Sequence, residues 1–271
     1  MNIVLYHDNC LDGFTAAWAA WRSFGDQATY RAVQYGQEPP IPDVVGRDVY
    51  LVDFCYPRTS LDAIVDVAHS VTLFDHHKTA QTDLAGWARG HVVFDMERSG
   101  AGITWDELHT DKRPTLVSYV EDRDLWRWML PESREVSEYL FSLLRTFTMW
   151  DQAALAMESD FPSIVDAGRA LRRAKVIRVA SVCENVRWVV LSGHHIPVVN
   201  AAWDFSEVGE YLCQKFSEAV CAGYYFDRAD RRQWGFRSRS GFDVSKLCKI
   251  YGGGGHAAAA GFTSEIGWLP A

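Results

Sequence analysis

The stretch VTLFDHHKTA, residues 71–80, runs from apolar residues straight into Asp75, His76, His77 and Lys78. An acid beside two imidazoles offers carboxylate oxygens and neutral ring nitrogens, donors that hold a divalent cation or move a proton. An isolated His pair after a strand is more often ordinary surface or core polarity than a ligand set. The same residue types recur, however, after other apolar runs. His7 and Asp8 follow NIVLY, Asp12 comes shortly afterwards, and Asp53 lies near the end of DVYLVDF. Asp53 alone would also suit a turn or a helix N-cap. Asp122 and Asp124 lie in EDRDLWRW, where pairing with Arg123 and Arg127 is the competing explanation. Mixed imidazole and carboxylate donors without a thiolate pair favour Mn²⁺ or Mg²⁺ over structural zinc. Carboxylates gathered in one place repel one another; two cations remove that cost and create a centre for phosphoryl transfer.

The elements needed to position these groups are legible in the first half of the chain. Strands are predicted at 2–6, 28–35, 48–54, 71–75 and 91–95, with helices at 13–24 and 58–70 between them. Strands alternating with helices imply βαβ units and a mostly parallel α/β sheet. In such a sheet ligands bind at the carboxyl ends of the strands, where His7, Asp53 and Asp75 to His77 all fall. From about residue 99 to 182 the periodicity is helical. A smaller α/β unit follows, with strand patterns in VRWVVLSG, HIPVVNA, CAGYYFDR and RQWGFRSR and helices in FSEVGEYLCQKF and DVSKLCKIYG. The expected organisation is therefore a first domain over 1–150, a helical connector over 151–182 and a second domain over 183–271.

A second motif, GGGGHAAAAGF at 252–262, lies in that second domain. Consecutive glycines cost backbone entropy, and they suit a place where N–H groups approach an anion. Gly253, Gly254, Gly255 and the adjoining His256 are candidate substrate contacts on this reading. Arg237 and Arg239 in FRSRSG are further candidates for phosphate or base contact, with solvated surface charge as the alternative.

Composition narrows the class. The chain has 271 residues, 48% hydrophobic and 23% charged, as in ordinary globular proteins. No apolar run reaches the roughly 20 residues that span a bilayer. The first residues, MNIVLYHDNC, lack the pattern of a signal peptide, so a cytoplasmic protein is expected. The six cysteines have no CxxC spacing, which argues against a zinc ribbon or a secreted disulfide scaffold. The net charge is −8, which disfavours a long nucleic acid as partner. The basic run RALRRAKVIR (169–178) reads as a solvated helix face.

FDHHKTA together with GGGGHAAAAGF resembles the DHH phosphoesterase superfamily in its DHH–DHHA1 arrangement, which includes oligoribonuclease-like and single-strand exonuclease-like phosphodiesterases. The resemblance covers most of the chain. It implies motifs at His7 and Asp12 (YHDNCLDGFTAA), at Asp53 (YLVDFCYP), at Asp75, His76 and His77, and at Asp122, with Asp124 as the alternative register. It further implies that Asp53 bridges two ions, that His7 and Asp122 serve one and that Asp12 and His76 serve the other. Asp75 would orient an imidazole, His77 would lie near the substrate phosphate, and Gly253 to His256 would bind the far side of a nucleotide. Cys10 is a departure, standing where many relatives carry an earlier aspartate: either it is a soft candidate ligand or that position is vacant and replaced by His7 or Asp8.

The resemblance implies metal-dependent hydrolysis, with Mn²⁺ or Mg²⁺, of short oligonucleotides or linear or cyclic dinucleotides, and it allows a homodimer. Trp126, Trp128, Tyr224 and Tyr225 are candidate base-stacking residues, although aromatics at such spacings are commonly core. A pyrophosphatase-like or nucleoside bisphosphate phosphatase activity and a non-catalytic nucleotide-binding module are the alternatives.

Overall fold

The computed structural model describes residues 1–239 and 241–270. Contacts divide the chain into two units, Met1–Arg172 and Arg173–Ala271.

In the first unit, strands β1 (Asn2–His7), β2 (Thr29–Val33), β3 (Asp48–Val52), β4 (Ser70–Asp75) and β5 (His91–Phe94) form one sheet in the order β2-β1-β3-β4-β5. Every neighbouring pair is parallel. Parallel neighbours require crossovers, which α1 (Leu11–Phe24), α2 (Ile41–Val44), α3 (Arg58–Val65) and α4 (Lys78–Asp83) provide. The strands carry apolar residues at consecutive positions because both faces are covered. Val4, Val52 and Phe74 point into one core, while Ile3, Leu5, Leu51 and Leu73 point into the other. The first core is closed by α1 and by α5 (Gly100–Leu108), α6 (Thr115–Asp124), α7 (Ser133–Ser142) and α8 (Phe147–Ser159).

The chain leaves β1 toward β2 on one side and returns to β3 on the other. The strand order therefore reverses between β1 and β3, and the crevice outside their carboxyl ends is where open α/β sheets bind ligands. His7 ends β1, and Asp53 follows β3 directly.

The helix α9 (Phe161–Val182) contains the boundary between the units. The sequence suggested a separate connector from 151, but α8 and the start of α9 belong to the first unit. Trp150, Ala153, Met157, Ile164 and Val165 bury their side chains in its core. Val179, at the other end of α9, packs in the second unit with Val199, Val208 and Leu212. The basic run on α9 is paired with acids: Arg169 with Asp166 and Glu132, Arg172 with Glu135, Lys175 with Glu207, and Arg178 with Asp204.

The second unit holds β6 (Arg187–Leu191), β7 (His194–Asn200), α10 (Phe205–Lys215), β8 (Ala222–Arg228), β9 (Arg231–Arg237), α11 (Val244–Ile250), β10 (Gly254–His256) and β11 (Ala259–Glu265). Its sheet runs β10-β11-β9-β8-β7-β6 and is antiparallel except for β7 and β8, which α10 connects. Among the described residues no helix is long and apolar enough to cross a membrane.

Candidate metal centre

Asp53 sits where β3 ends and adopts a left-handed backbone, φ 53°. A non-glycine residue in that region is strained, and such strain is tolerated where the surroundings dictate the conformation. The bend is held by the Asp53 N–H, which donates to the Phe74 carbonyl at 2.9 Å. The Asp53 carboxylate is 1% exposed. Oδ1 lies 3.2 Å from His76 Nε2, and Oδ2 lies 3.8 Å from His7 Nδ1. Neither oxygen accepts a well-formed hydrogen bond from a described residue, and His7 Nδ1 is likewise without a hydrogen-bond partner. Buried polar atoms left this way are costly and call for a ligand.

Two glycines allow the close packing. A Cβ on Gly13 would stand 2.5 Å from the His7 carbonyl oxygen and 3.1 Å from Asp53 Oδ2. A Cβ on Gly100 would stand 2.4 Å from the Cβ of Asp53. Only a hydrogen there lets the first turns of α1 and α5 reach the strand ends.

Asp12, in the first turn of α1, serves two purposes. Its oxygens accept from the N–H groups of Gly100 at 2.6 Å and Ala101 at 3.0 Å, at the start of α5. Those donors belong to a helix N-terminus, which has no internal partner for them. Asp12 Oδ2 is also 3.7 Å from His76 Nε2. Ser99 caps the same helix by accepting from the Gly102 N–H, and Glu121 accepts the Ser99 N–H at 2.9 Å.

Asp75 faces its own neighbours. Its Oδ1 accepts from the His76 N–H at 2.8 Å and contacts His77 Nδ1 at 2.6 Å. The second contact fixes the orientation of the His77 ring.

The two candidate positions for the fourth motif separate clearly. Asp122 was the first choice as cation ligand, but its carboxylate is turned elsewhere. It accepts from the Met129 N–H at 2.8 Å, the Leu130 N–H at 3.3 Å and the Ser133 hydroxyl at 2.5 Å. Asp124 is the residue beside the site, with Oδ2 3.4 Å from His76 Nε2. Residues two apart on a helix point about 200° apart, so only one can face the strand ends.

Among the described residues three sets of donors emerge: His7, Cys10 and Asp53; Asp53, His76 and His77; and Asp12, His76 and Asp124. Within each set the donor atoms lie within 4.8 Å of one another. Asp53 and His76 each appear in two sets; the two carboxylate oxygens could bridge a pair of cations, whereas the single lone pair of a neutral imidazole serves one cation at a time. The expected grouping changes in one respect: the fourth-motif aspartate stands with Asp12 and His76 rather than with His7. The donors and the Asp53 oxygens, which accept no well-formed hydrogen bond, fit divalent cations.

Electrostatics point the same way. Burial, with Asp12 beside it, holds the Asp53 carboxyl well above the usual carboxylate range. Burial and Asp12 also push Asp124 up to about 6. Burial opposes the charged form of His76, but Asp53, Asp124 and Asp12 outweigh it and raise it to about 9. Burial and the neighbouring His77 lower His7 to about 4, so it stays a neutral donor. Burial, Asp124 and Asp12 push the Cys10 thiol up to about 12. The metal-free site thus resists gathering negative charge, the condition that cations relieve.

Sequence reasoning did not single out Tyr35, Gly100 or Glu121. The Tyr35 ring packs edge-on to His7 at 5.2 Å and lies 6.2 Å from His77. The small-residue run Ser99 to Gly102 was the available signal for α5, since close approach needs small residues.

The second unit contains the other candidates. The glycines build a hairpin of β10 and β11, in which Gly254 pairs with Gly261 and His256 with Ala259. The Gly252 and Gly253 N–H groups donate to the Lys249 and Cys248 carbonyls, finishing α11. They are therefore not open to an anion, as the glycine run had suggested. A Cβ on Gly253 would lie 2.0 Å from the Gly261 carbonyl oxygen, so strand packing requires that glycine. Gly255 has φ 136°. Arg237 donates to the Phe236 carbonyl and to the Ser206 hydroxyl, both at 3.0 Å, and Gly209 of α10 leaves room for its stem.

No family model matches the chain. The uncharacterized protein R106 of Acanthamoeba polyphaga mimivirus is 26% identical over 294 residues, covering all of this chain and 69% of that protein. Among solved structures, the DHH domain of PF0399, described as a member of the s1p family of ribosomal proteins, is similar at 13% identity. Its TM-score is 0.65, over 97% of this chain and 82% of that one. The pGpG-specific phosphodiesterase PggH from Vibrio cholerae is similar at TM-score 0.51 and 13% identity, over 98% and 93% of the two chains. Exonuclease RecJ bound to manganese is similar at TM-score 0.52 and 15% identity, over 97% and 86%. The chain therefore shares the fold of these solved structures, the DHH domain of PF0399 among them, and carries Asp75, His76 and His77 at the end of β4.

Proposed function

We propose that the protein is a divalent-cation-dependent phosphodiesterase that hydrolyses short oligonucleotides or linear or cyclic dinucleotides. The observation that carries this reading is the buried Asp53 carboxylate, whose oxygens accept no well-formed hydrogen bond and which is shared between two sets of donors at the β1/β3 crevice. The similarity to PggH, named a phosphodiesterase, and to RecJ, an exonuclease bound to manganese, supports it. His7, Cys10, Asp12, Asp53, His76 and Asp124 would hold the cations. Bound divalent cations would neutralise phosphoryl oxygens and acidify a water toward neutral pH.

The remaining groups position and discriminate. Asp75 contacts His77 Nδ1 and orients the ring, which we place near the substrate phosphate. Directly after Asp124, Trp126 and Trp128 stand edge to face at 4.9 Å. The Arg134 guanidinium lies 4.2 Å over the Trp128 ring, and that of Arg123 lies 5.8 Å from Trp126. Both tryptophans have left-handed backbones, φ 55°. Such an aromatic and cationic surface suits a nucleobase and its phosphate. Gly254, Gly255, His256 and Arg237 are the contacts proposed for the second unit.

The test is hydrolysis of a 5′-labelled dinucleotide, a 5-mer, a 24-mer, a cyclic dinucleotide and pyrophosphate in Mn²⁺. Fastest turnover of the shortest nucleotides supports the proposal. Preference for pyrophosphate would replace it with a pyrophosphatase, and binding without turnover would replace it with a nucleotide-binding module.

A further inference from the structure

We propose that Cys10 makes the two cation positions chemically unlike, so that the His7–Cys10–Asp53 position selects a borderline or soft divalent ion such as Zn²⁺ or Co²⁺. The Asp12–His76–Asp124 position would keep the harder ion, Mn²⁺ or Mg²⁺. This rests on the reading above only in that both sets of donors hold cations.

Residues 10 and 12 contribute to different sets. The chain enters α1 at Cys10 with an extended backbone (φ −107°, ψ 137°). The thiol is free, in no disulfide, and stands with His7 and Asp53. Asp12 instead stands with His76 and Asp124. The Cys10 set also contains three buried polar atoms without a hydrogen bond: His7 Nδ1 and both oxygens of Asp53, whose side chain is almost wholly buried. The thiol is therefore accompanied by a carboxylate that itself calls for a cation.

The donor chemistry separates the two positions. One imidazole, one thiolate and one carboxylate suit Zn²⁺ or Co²⁺, whereas two carboxylates and an imidazole suit Mn²⁺ or Mg²⁺. The thiol proton passes to solvent as the sulfur–cation bond forms, and no redox partner is needed. Close packing brings the set together, because the absence of a Cβ at Gly13 lets the first turn of α1 lie directly against His7 and Asp53. Cys10 is thus a specificity-determining residue for cation choice.

The experiment uses the metal-free full-length chain and Co²⁺ as an optical probe. The wild type should develop a near-ultraviolet thiolate-to-Co²⁺ charge-transfer band that saturates at one ion per chain. Zn²⁺ should abolish the band and Mg²⁺ should not. Cys10→Ser and Cys10→Asp should both lack it. Competition titrations should show the preference for Zn²⁺ over Mn²⁺ falling at least roughly tenfold in Cys10→Asp, which supplies a hard donor at the same place. A band that survives in both variants, no band in the wild type, or an unchanged Zn²⁺/Mn²⁺ preference would overturn the proposal. Co²⁺ bound through Cys10 without phosphoester turnover would leave this proposal standing and overturn the hydrolase reading. Mn²⁺-dependent turnover without a Cys10-dependent band would do the reverse.

Discussion

The carboxylate of Asp12 accepts the backbone N–H groups of both Gly100 and Ala101, tying the start of α1 to the start of α5 across 88 positions of sequence. Gly100 in turn packs directly on Asp53. One aspartate therefore positions the helix that packs on the shared carboxylate, and it belongs to one of the three candidate donor sets. Replacing it by alanine should destabilise the metal-free protein by about 1–2 kcal/mol, the usual cost of losing a helix N-terminal acceptor. Thermal unfolding in chelator measures this. An unchanged midpoint would mean that Asp12 acts only on the cation.

Gly100 gives a steric prediction. The methyl group of Gly100→Ala has no room beside Asp53, so α5 or the Asp53 turn must shift. A loss of about 1–3 kcal/mol is expected, together with weaker Mn²⁺ binding by calorimetry. Gly25, with no atom near its would-be Cβ but φ 61°, is the comparison: Gly25→Ala should cost stability and leave cation affinity intact.

Asp122 and Asp124 should behave in opposite ways. Asp122→Ala strips the partners from two N–H groups and the Ser133 hydroxyl, and should cost roughly 1–3 kcal/mol. Asp124→Asn removes a like charge from beside Asp12 and should not destabilise the metal-free protein. It should weaken cation binding at least roughly tenfold. Denaturant unfolding and calorimetry on both variants separate the two roles; the reverse pattern would restore Asp122 as the ligand.

The pH dependence of the metal-free protein has a definite sign. His76 is raised from 6.5 to about 9, and His77 and Asp53 are also raised, so the folded state holds these protons more tightly than the unfolded chain. The His76 contribution is complete below pH 6.5 and is lost as pH rises through about 9. His7, lowered to about 4, works in the other direction, with its stabilisation lost as pH falls from 6.5 toward 4. Between pH 6.5 and 9 stability should therefore fall, by an amount on the order of 2 kcal/mol. His76→Gln should flatten that slope, and urea unfolding across the range measures it. A profile rising over the same window would contradict the charge arrangement.

Much of the first unit was legible because its strands are buried on both faces and end in polar residues of one kind. NIVLY, DVYLVDF and VTLFD announce themselves by apolar runs, and the polar residues that follow them meet at one sheet edge. The choice between Asp122 and Asp124 was not legible, because helix phase depends on how α6 packs against α5. The part played by Gly100 was hidden for a similar reason: a glycine in a helix pattern does not reveal which distant side chain lies against it. The glycine run at 252–255 looked like an anion cradle because the N–H groups that finish α11 cannot be told from free ones in sequence. The domain boundary moved to Arg172 because the burial of Trp150 and Met157 is tertiary, whereas helical periodicity alone reads as a connector.

The most direct experiment is release of mononucleotide from a 5′-labelled dinucleotide in Mn²⁺, with Asp53→Ala beside the wild type and bound Mn²⁺ counted in both. The wild type should bind Mn²⁺, hydrolyse the dinucleotide and lose turnover in chelator, while Asp53→Ala, still folded by circular dichroism, should lose both cation and turnover. Equal turnover by Asp53→Ala, or turnover by the wild type that persists in chelator, would contradict a cation-centred hydrolysis site at the end of β3.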